Sequence, residues 1–268
     1  MNHENEIIGE AFSRFAGKHE EISENNPHQA RLRKKVYDHL IHFLPAQSRI
    51  LELNSGTGVD AIALALRGYR IHATDIATGM LDLLDKKVTR LNLQDSISHQ
   101  LCSFEELEKV TDAPYDAVFS NMGGLNCIAD LTPVIRSLPK VLKPGGFVTC
   151  VLMPPVCLWE IAEVFRGKPR NAFRRFNRHG TVAQLEGLMF KVHYFTPRRV
   201  IRWFGVDFRL LRLEGLSVLT PTMDSKNFAA RYPKFYSALA KLDDLVSAHA
   251  PWSGMGDFFI CTFQYSPQ

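Results

Sequence analysis

The sequence predicts an α/β protein with a seven-stranded, mostly parallel, doubly wound sheet, helices on both faces and an antiparallel last strand. Short apolar runs alternate with amphipathic helical stretches between residues 49 and 152, which is typical of a parallel sheet. The 268 residues are 46% hydrophobic and 22% charged, an ordinary globular composition. The alternation stops after Pro155, so we expect a helical insert after the fifth strand.

Residues 1–48 are predicted to form a helical cap. Asn26 followed by Pro27 is typical of a helix start, because Asn caps the first turn and Pro fits the first helical position. Apolar residues then recur at every fourth position from Leu32 to Leu44, and Pro45 ends the helix. The preceding polar segment carries a small apolar patch, and we expect it to cover part of the site.

The central region, residues 49–155, is predicted to hold five strands. They lie at 49–54, 69–74, 97–101, 115–120 and 147–152, with helices between them. Residues 156–209 are read as the insert, and residues 210–268 as the completion of the sheet. That last part has a strand at 210–219, a mostly helical stretch at 226–249 and a final strand at 257–264. An edge position for the final strand is one option that the sequence leaves open.

Positive charge is concentrated in the insert. Ten Lys or Arg residues lie between Arg166 and Arg202 against one acid, Glu186, although the whole chain is only +4. Such a segment attracts an acidic small molecule, a phosphate or a nucleic acid. A solvated basic face explains the same pattern equally well.

The five cysteines are scattered and form neither CxxC pairs nor a Cys/His zinc pattern, so we expect reduced thiols and no metal site. The first residues lack the basic and apolar regions of a signal peptide. The most apolar stretch, 147–159, is too short for a membrane span and is broken by Pro154 and Pro155. We therefore expect a cytoplasmic protein without a membrane partner.

A glycine turn, Gly56-Thr-Gly58-Val-Asp-Ala61, follows the first strand and opens a helix. Glycines let the backbone approach a ligand closely, and the pattern also fits a dinucleotide site with Asp75 as the ribose partner. Glu52, within the strand, opposes that interpretation because a carboxylate favours a cationic ligand over a pyrophosphate. A nicotinamide-dependent oxidoreductase also gives no role to the turn 143–146.

Five ordered motifs in residues 49–152 together resemble the class I S-adenosylmethionine-dependent methyltransferases. These are Leu51-Glu-Leu-Asn-Ser-Gly-Thr-Gly58, Thr74-Asp-Ile-Ala-Thr-Gly-Met80, Cys102-Ser-Phe-Glu105, Tyr115-Asp-Ala-Val-Phe-Ser-Asn121 and Leu142-Lys-Pro-Gly-Gly146. Two positions depart from the family pattern. Asn54 replaces the usual first glycine, and Cys102 or Ser103 replaces the usual acid before the adenine contact. We expect the turn to form nonetheless, because Asn tolerates positive φ.

The resemblance implies S-adenosylmethionine as cofactor, S-adenosylhomocysteine as product, and a set of binding residues. Glu52 orients the methionyl amine, Asp75 accepts hydrogen bonds from both ribose hydroxyls, and Arg31 or Arg33 pairs with the carboxylate. The full cofactor-binding set is Glu52, Asn54, Ser55, Gly56, Gly58, Asp75, Ile76, Met80, Ser103, Phe104, Asn121 and Met122.

The implied reaction is direct displacement of the methyl group by a small-molecule acceptor, through oxygen or nitrogen. This reaction needs alignment more than a catalytic triad, and no catalytic residue is assigned. His179, His193 and His249 are candidate bases. Aromatic residues and cations of the insert suggest a substrate lid and an aromatic or anionic acceptor. Two alternatives stay open: an RNA methyltransferase that uses the basic insert, and a non-catalytic cofactor-binding module. The oligomeric state is open as well.

Overall fold

The computed structural model describes residues 3–24, 26–225 and 227–267. Positions 1, 2 and 25 of the expected cap, and position 226 of the expected helical stretch, lie outside this part. The helices are α1 His3–Glu24, α2 Pro27–Ile41, α3 Val59–Ala65, α4 Thr78–Arg90, α5 Thr132–Val141, α6 Leu158–Ile161, α7 Pro169–Phe173, α8 Pro197–Phe204, α9 Phe228–Arg231 and α10 Pro233–Val246. The strands are β1 Arg49–Leu53, β2 Arg70–Asp75, β3 Ile97–Leu101, β4 Tyr115–Ser120, β5 Leu142–Leu152, β6 Thr181–Leu185, β7 Leu188–Val192, β8 Phe208–Leu216 and β9 Phe258–Tyr265.

The main sheet has seven strands in the order β3-β2-β1-β4-β5-β9-β8. Strands β1 to β5 are parallel, and β9 is antiparallel to both of its neighbours. The predicted fold class is therefore confirmed, including the antiparallel last strand. That strand does not lie at an edge: Thr262 of β9 faces Thr149 of β5, and Cys261 of β9 faces Leu213 of β8. The edge strand on this side is β8.

Two apolar layers cover the faces of the sheet, as expected for a doubly wound fold. One layer packs α5 and α8 against the sheet through residues such as Val134, Leu138 and Phe204. The other layer packs α2, α3 and α4 through residues such as Val36, Leu64 and Leu84. Burial on both faces explains uninterrupted apolar runs such as residues 117–119 of β4.

Element boundaries agree closely with the sequence where capping residues mark them. The side chain of Asn26 accepts hydrogen bonds from the backbone N–H groups of His28 and Gln29, at 3.1 and 3.3 Å, and Pro27 begins α2. The strand β5 differs, because it begins at Leu142 rather than Phe147. Leu142 pairs with Tyr115, and the turn 143–146 bulges out within the strand before pairing resumes.

The insert is not purely helical, which corrects the expectation. Residues 181–192 form an antiparallel hairpin of β6 and β7, which we call the insert hairpin. Its two-residue turn consists of Glu186 and Gly187, with φ values of +46° and +83°. Positive φ at both positions matches the right-handed twist of a hairpin. The Glu-Gly pair between two short apolar runs was the signal in the sequence.

All five cysteines are buried and unpaired. Burial raises the pKa of the thiols of Cys127, Cys150 and Cys157 to about 12. These thiols are therefore neutral packing groups at physiological pH. In the described ranges, no helix combines the length and the apolar character needed to cross a bilayer.

Candidate active site

A cavity of about 250 Å³ opens at the carboxyl ends of β1, β2 and β4. This is where ligands bind in open α/β sheets, because the loops that follow parallel strands converge there. Nine of the twelve expected cofactor-binding residues line the cavity: Asn54, Ser55, Gly56, Asp75, Ile76, Met80, Phe104, Asn121 and Met122.

The other three expected residues lie outside the lining. Glu52 is buried beneath the cavity floor, with one carboxyl oxygen unpartnered. Gly58 faces α4 instead, because a Cβ built there would lie 2.6 Å from Leu84 Cδ1. Ser103 is buried, and its hydroxyl accepts a hydrogen bond from the Glu105 N–H at 3.2 Å. These three residues lie next to the cavity without lining it, and their contacts with a cofactor stay predictions.

The glycine turn adopts the left-handed backbone that its residues favour. Asn54, Gly56 and Gly58 have φ values of +48°, +55° and +75°. Asn54, which stands in place of the family's glycine, adds two side-chain bonds to the end of β4. Its amide donates to Asn121 O at 3.0 Å, and its oxygen accepts from Ser120 Oγ at 2.6 Å. The expectation that Asn preserves this turn is confirmed.

Asp75, at the end of β2, presents a preorganised carboxylate to the cavity. One oxygen accepts a hydrogen bond from Gly56 N–H at 2.8 Å, and the other from Ala77 N–H at 2.9 Å. Burial raises the pKa of Asp75, although these backbone donors stabilise its anion. Each carboxylate oxygen keeps lone pairs for further donors, so the group is suited to accept two hydroxyls.

A buried ion pair on the cavity wall was missed by the sequence analysis. Asp60 accepts hydrogen bonds from the guanidinium of Arg33, from Tyr37 Oη at 2.5 Å and from Asn121 Nδ2 at 3.0 Å. Burial would lower the pKa of Arg33, but the carboxylate of Asp60 outweighs it and raises that pKa. Asp60 therefore joins α2, α3 and the end of β4. The signal in the sequence was an acid directly after the glycine turn.

Arg33 is the better placed of the two arginines considered for a ligand carboxylate. It lines the cavity and its Nε is buried without a partner. Arg31 instead donates to Ala240 O at 2.9 Å and Asp244 Oδ1 at 2.6 Å, both of which lie in α10. The sequence could not separate them, because they lie only two positions apart on one helix.

Several buried polar atoms around the turn have no hydrogen-bond partner in the part of the protein that the structure describes. They include His19 Nδ1, Arg33 Nε and Ser55 Oγ, all on residues that line the cavity. Burying a polar group without a hydrogen bond is costly, so these atoms fit a polar ligand that completes their bonding. Burial lowers the pKa of His19, with Arg33 adding to the effect, so its imidazole is neutral at physiological pH.

The cavity is covered by α1 and by the insert hairpin. Ile8 and Phe12 of α1 meet Phe190 of β7, and the rings of Phe12 and Phe190 lie 5.8 Å apart. Lys18 of α1 bridges to Glu186 in the hairpin turn at 2.7 Å. The cover expected from the N-terminal segment and the insert is therefore present in the described residues.

The expected bases and the basic insert contribute little to the cavity surface. His179, His193 and His249 do not line it, whereas His19 does. Among the described residues of the insert, Phe190 and Val192 line the cavity, and no Lys or Arg does.

Part of the insert's charge is neutralised internally. Buried Arg175 donates to Glu160 Oε1 at 2.6 Å and Asp257 Oδ1 at 2.8 Å, and Arg174 also pairs with Glu160. With Cys157, these two acids are the single cluster of potential metal ligands in the described residues. The guanidinium of Arg175 already supplies a cation there.

Residues 50–146 match the family model described as a methyltransferase domain. This match identifies a methyltransferase domain in this part of the chain. The resemblance drawn from the five motifs is confirmed, and the fold agrees with it.

Two curated relatives and one solved structure illustrate the range of similar proteins. The biotin biosynthesis bifunctional protein of Teredinibacter turnerae is 28% identical over 71% of this chain and 36% of its own length. The tRNA 5-carboxymethoxyuridine methyltransferase of Escherichia coli K12 is 26% identical over 39% of this chain and 40% of its own length. The CcbJ methyltransferase of Streptomyces caelestis shares the fold at a TM-score of 0.57 and 15% identity, covering 88% of this chain and 89% of that one.

The methyltransferase domain therefore occurs in proteins with different partners and lengths. The alignment with the Teredinibacter turnerae relative spans about a third of that protein. Similarity identifies the domain, and the acceptor has to be argued from the cavity.

Proposed function

We propose that this protein transfers a methyl group from S-adenosylmethionine to a small-molecule acceptor. The observation that carries the proposal is Asp75, whose two oxygens are fixed by backbone N–H groups at the rim of a cavity with unpartnered polar atoms. The proposal assigns residues 1–48 as a cap, 49–155 as the cofactor-binding core, 156–209 as the substrate lid and 210–268 as the completion of the sheet. It places the enzyme in the cytoplasm, consistent with five unpaired thiols.

The bound cofactor supplies an electrophilic methyl group on a sulfonium. In the proposed arrangement, Asp75 accepts both ribose hydroxyls, and Ile76, Met80 and Phe104 enclose the adenine. Arg33 Nε and the neutral imidazole of His19 donate to the amino-acid end. Asn121, held by Asp60, fixes the end of β4 next to the reacting centre. The residues thus supply orientation and exclude water, which is the main requirement of a displacement between preformed reactants.

A small acceptor is favoured over RNA by the cover above the cavity. The hairpin and α1 cover it, and described insert cations do not reach it. An RNA substrate would require the basic insert to guide phosphates, and binding would then fall steeply with salt. A non-catalytic module would bind the cofactor without turnover.

Calorimetry with S-adenosylhomocysteine tests the site. We expect Asp75→Asn to weaken binding by at least about tenfold, or about 1.4 kcal/mol, because an amide cannot accept two hydroxyls and two backbone donors together. Asp82→Asn, on the exposed side of α4, is the matched control and should leave affinity unchanged. Equal affinities for wild type and Asp75→Asn would remove Asp75 from the site.

A further inference from the structure

The charges on the cavity surface do not cancel. Among the described lining residues, Arg33 is the single Lys or Arg, and Asp60 already neutralises it. The carboxylate of Asp75 has no cationic partner in its hydrogen bonds, which come from backbone N–H groups. His19 is neutral, since burial lowers its pKa. The lining therefore carries one net negative charge.

The carboxyl of Glu52 and the thiol of Cys127, which lines the cavity, do not reverse this balance. Glu52 is buried and one of its carboxyl oxygens has no partner among the described residues, whereas both oxygens of Asp75 accept backbone N–H groups. Burial of an unpartnered carboxyl favours its neutral form, and burial together with nearby Asp60 raises the pKa of Glu52 well above its usual range. Burial raises the pKa of the Cys127 thiol to about 12, so it adds no charge and is not a base.

We infer that the acceptor is an uncharged amine on an apolar body, an inference that rests on the proposed function. S-adenosylmethionine carries one net positive charge, because its ammonium and carboxylate cancel and its sulfonium remains. This charge balances the cavity. A buried region avoids unpaired charge strongly, so the acceptor that keeps the balance is a neutral molecule.

Charge is conserved across the reaction with such an acceptor. The nitrogen lone pair forms the new N–C bond while the C–S bond breaks and its electron pair stays on sulfur. The products are neutral-overall S-adenosylhomocysteine and a methylated ammonium, so one positive charge remains in the cavity. An anionic acceptor would instead leave the negative charge unbalanced before and after transfer. This argument opposes the anionic acceptor suggested by the insert's composition.

The wall around the cavity mouth supplies the apolar contact surface. Phe12, Met122, Met153, Phe190 and Val192 line this part. Methionine and aromatic side chains also favour a cationic product, the aromatic faces through cation–π attraction and the thioethers through polarizability. A neutral amine needs no general base for the displacement itself, in keeping with the neutral Cys127 thiol.

Binding of matched probes tests the inference. Calorimetry on the protein saturated with S-adenosylhomocysteine would compare benzyltrimethylammonium, its uncharged isostere neopentylbenzene, and the anion phenylacetate. We expect the cation to bind about tenfold or more tightly than either other probe. With S-adenosylmethionine in place of the product, the sulfonium repels the cation, and its affinity should fall by a similar factor.

Three outcomes would overturn the inference. Phenylacetate could bind more tightly than the cation, the three probes could bind equally, or none of them could bind at millimolar concentration. These outcomes leave the proposed function intact, since they require cofactor binding. Failure to bind S-adenosylhomocysteine at all would overturn the proposed function instead. Phe190→Ala should weaken the cation severalfold, whereas Phe235→Ala, exposed on α10, should not.

Discussion

The side chain of Asn126 helps to set the shape of the candidate site by forming hydrogen bonds with the backbone of two separate segments. Asn126 is fully buried, and its amide oxygen accepts from Met153 N–H at 2.9 Å. Its amide nitrogen donates to Met153 O at 3.2 Å and His193 O at 2.6 Å. Asn126 thereby holds the end of β5 and the segment after β7 together, and it positions Met153 and Val192 in the wall.

Replacing this amide by a carboxylate should be costly. Asn126→Asp removes the donor and places an anion against two carbonyl oxygens, so we expect a loss of about 1–3 kcal/mol in the free energy of unfolding. Denaturant titration measures it. Asn171→Asp, at an exposed position of α7, is the control. A stability loss no larger than that of the control would show that the Asn126 bonds are not needed.

The helix α1 lies directly on the loop that follows β2. A Cβ built at Gly9 would be 2.9 Å from Ile76 O, whereas one built at Gly17 meets nothing within 4 Å. The N–H of Gly79 donates to Ser13 Oγ at 3.2 Å, and Lys87 pairs with Glu20 at 2.8 Å. Small residues thus allow the helix to approach the site closely.

The two glycines of α1 should respond in opposite directions to alanine. Gly17→Ala should stabilise the protein by about 0.5–1 kcal/mol, because alanine is the better helix former. Gly9→Ala should displace α1 from Ile76, lower the melting temperature and weaken S-adenosylhomocysteine binding. Scanning calorimetry with and without this ligand distinguishes the variants. Identical behaviour would mean that α1 does not need its close approach.

Strands and helices of the core were predictable because their periodicity is local. The spans of β3 and β4 agree with the prediction at both ends. The insert hairpin was missed because each of its strands has only five residues, which is too few for a clear alternation of apolar and polar side chains. The interior place of β9 depends on pairing between residues over a hundred positions apart, such as Thr149 and Thr262, which no local pattern reports.

In the candidate site, too, some residues could be predicted from local sequence and others could not. Motif residues such as Asp75 and Asn121 were found from their position at strand ends. Asp60 and His19 were not, because their place at the cavity depends on how α1 and α2 fold back over the sheet. Local sequence does not show which residues of these elements face the cavity. Phe190 was expected as one of several aromatic residues of the insert lid, and it lines the cavity.

Across the whole molecule, α2 is joined to the edge of the sheet by a buried acid on β8. Glu214 contacts Lys35 at 3.0 Å, His39 at 3.5 Å and Arg212 at 2.9 Å. Burial opposes ionisation, but the hydrogen bond from His39 and the charge of Lys35 outweigh it and lower the pKa of Glu214 to about 2. This carboxylate is therefore ionised in the folded protein at neutral pH.

Stability from Glu214 should be lost in acid. A carboxyl whose folded pKa lies below its unfolded value, which is about 4.3, contributes fully above that value and loses its contribution as pH falls towards 2. At pH 7, Glu214→Gln should cost about 1–3 kcal/mol in unfolding free energy, and the difference from wild type should shrink below about pH 4. Denaturant titrations across pH measure this, with exposed Glu108→Gln as the control. A pH-independent difference would contradict the assignment.

The five cysteines are each at most 9% exposed, and this burial gives the protein an intrinsic reporter of unfolding. Intact molecules should resist alkylation, because no cysteine combines access to reagent with thiolate character. Each molecule that opens would expose up to five reactive sulfurs at once. The rate of maleimide labelling would then measure how often the chain unfolds, without any engineered probe.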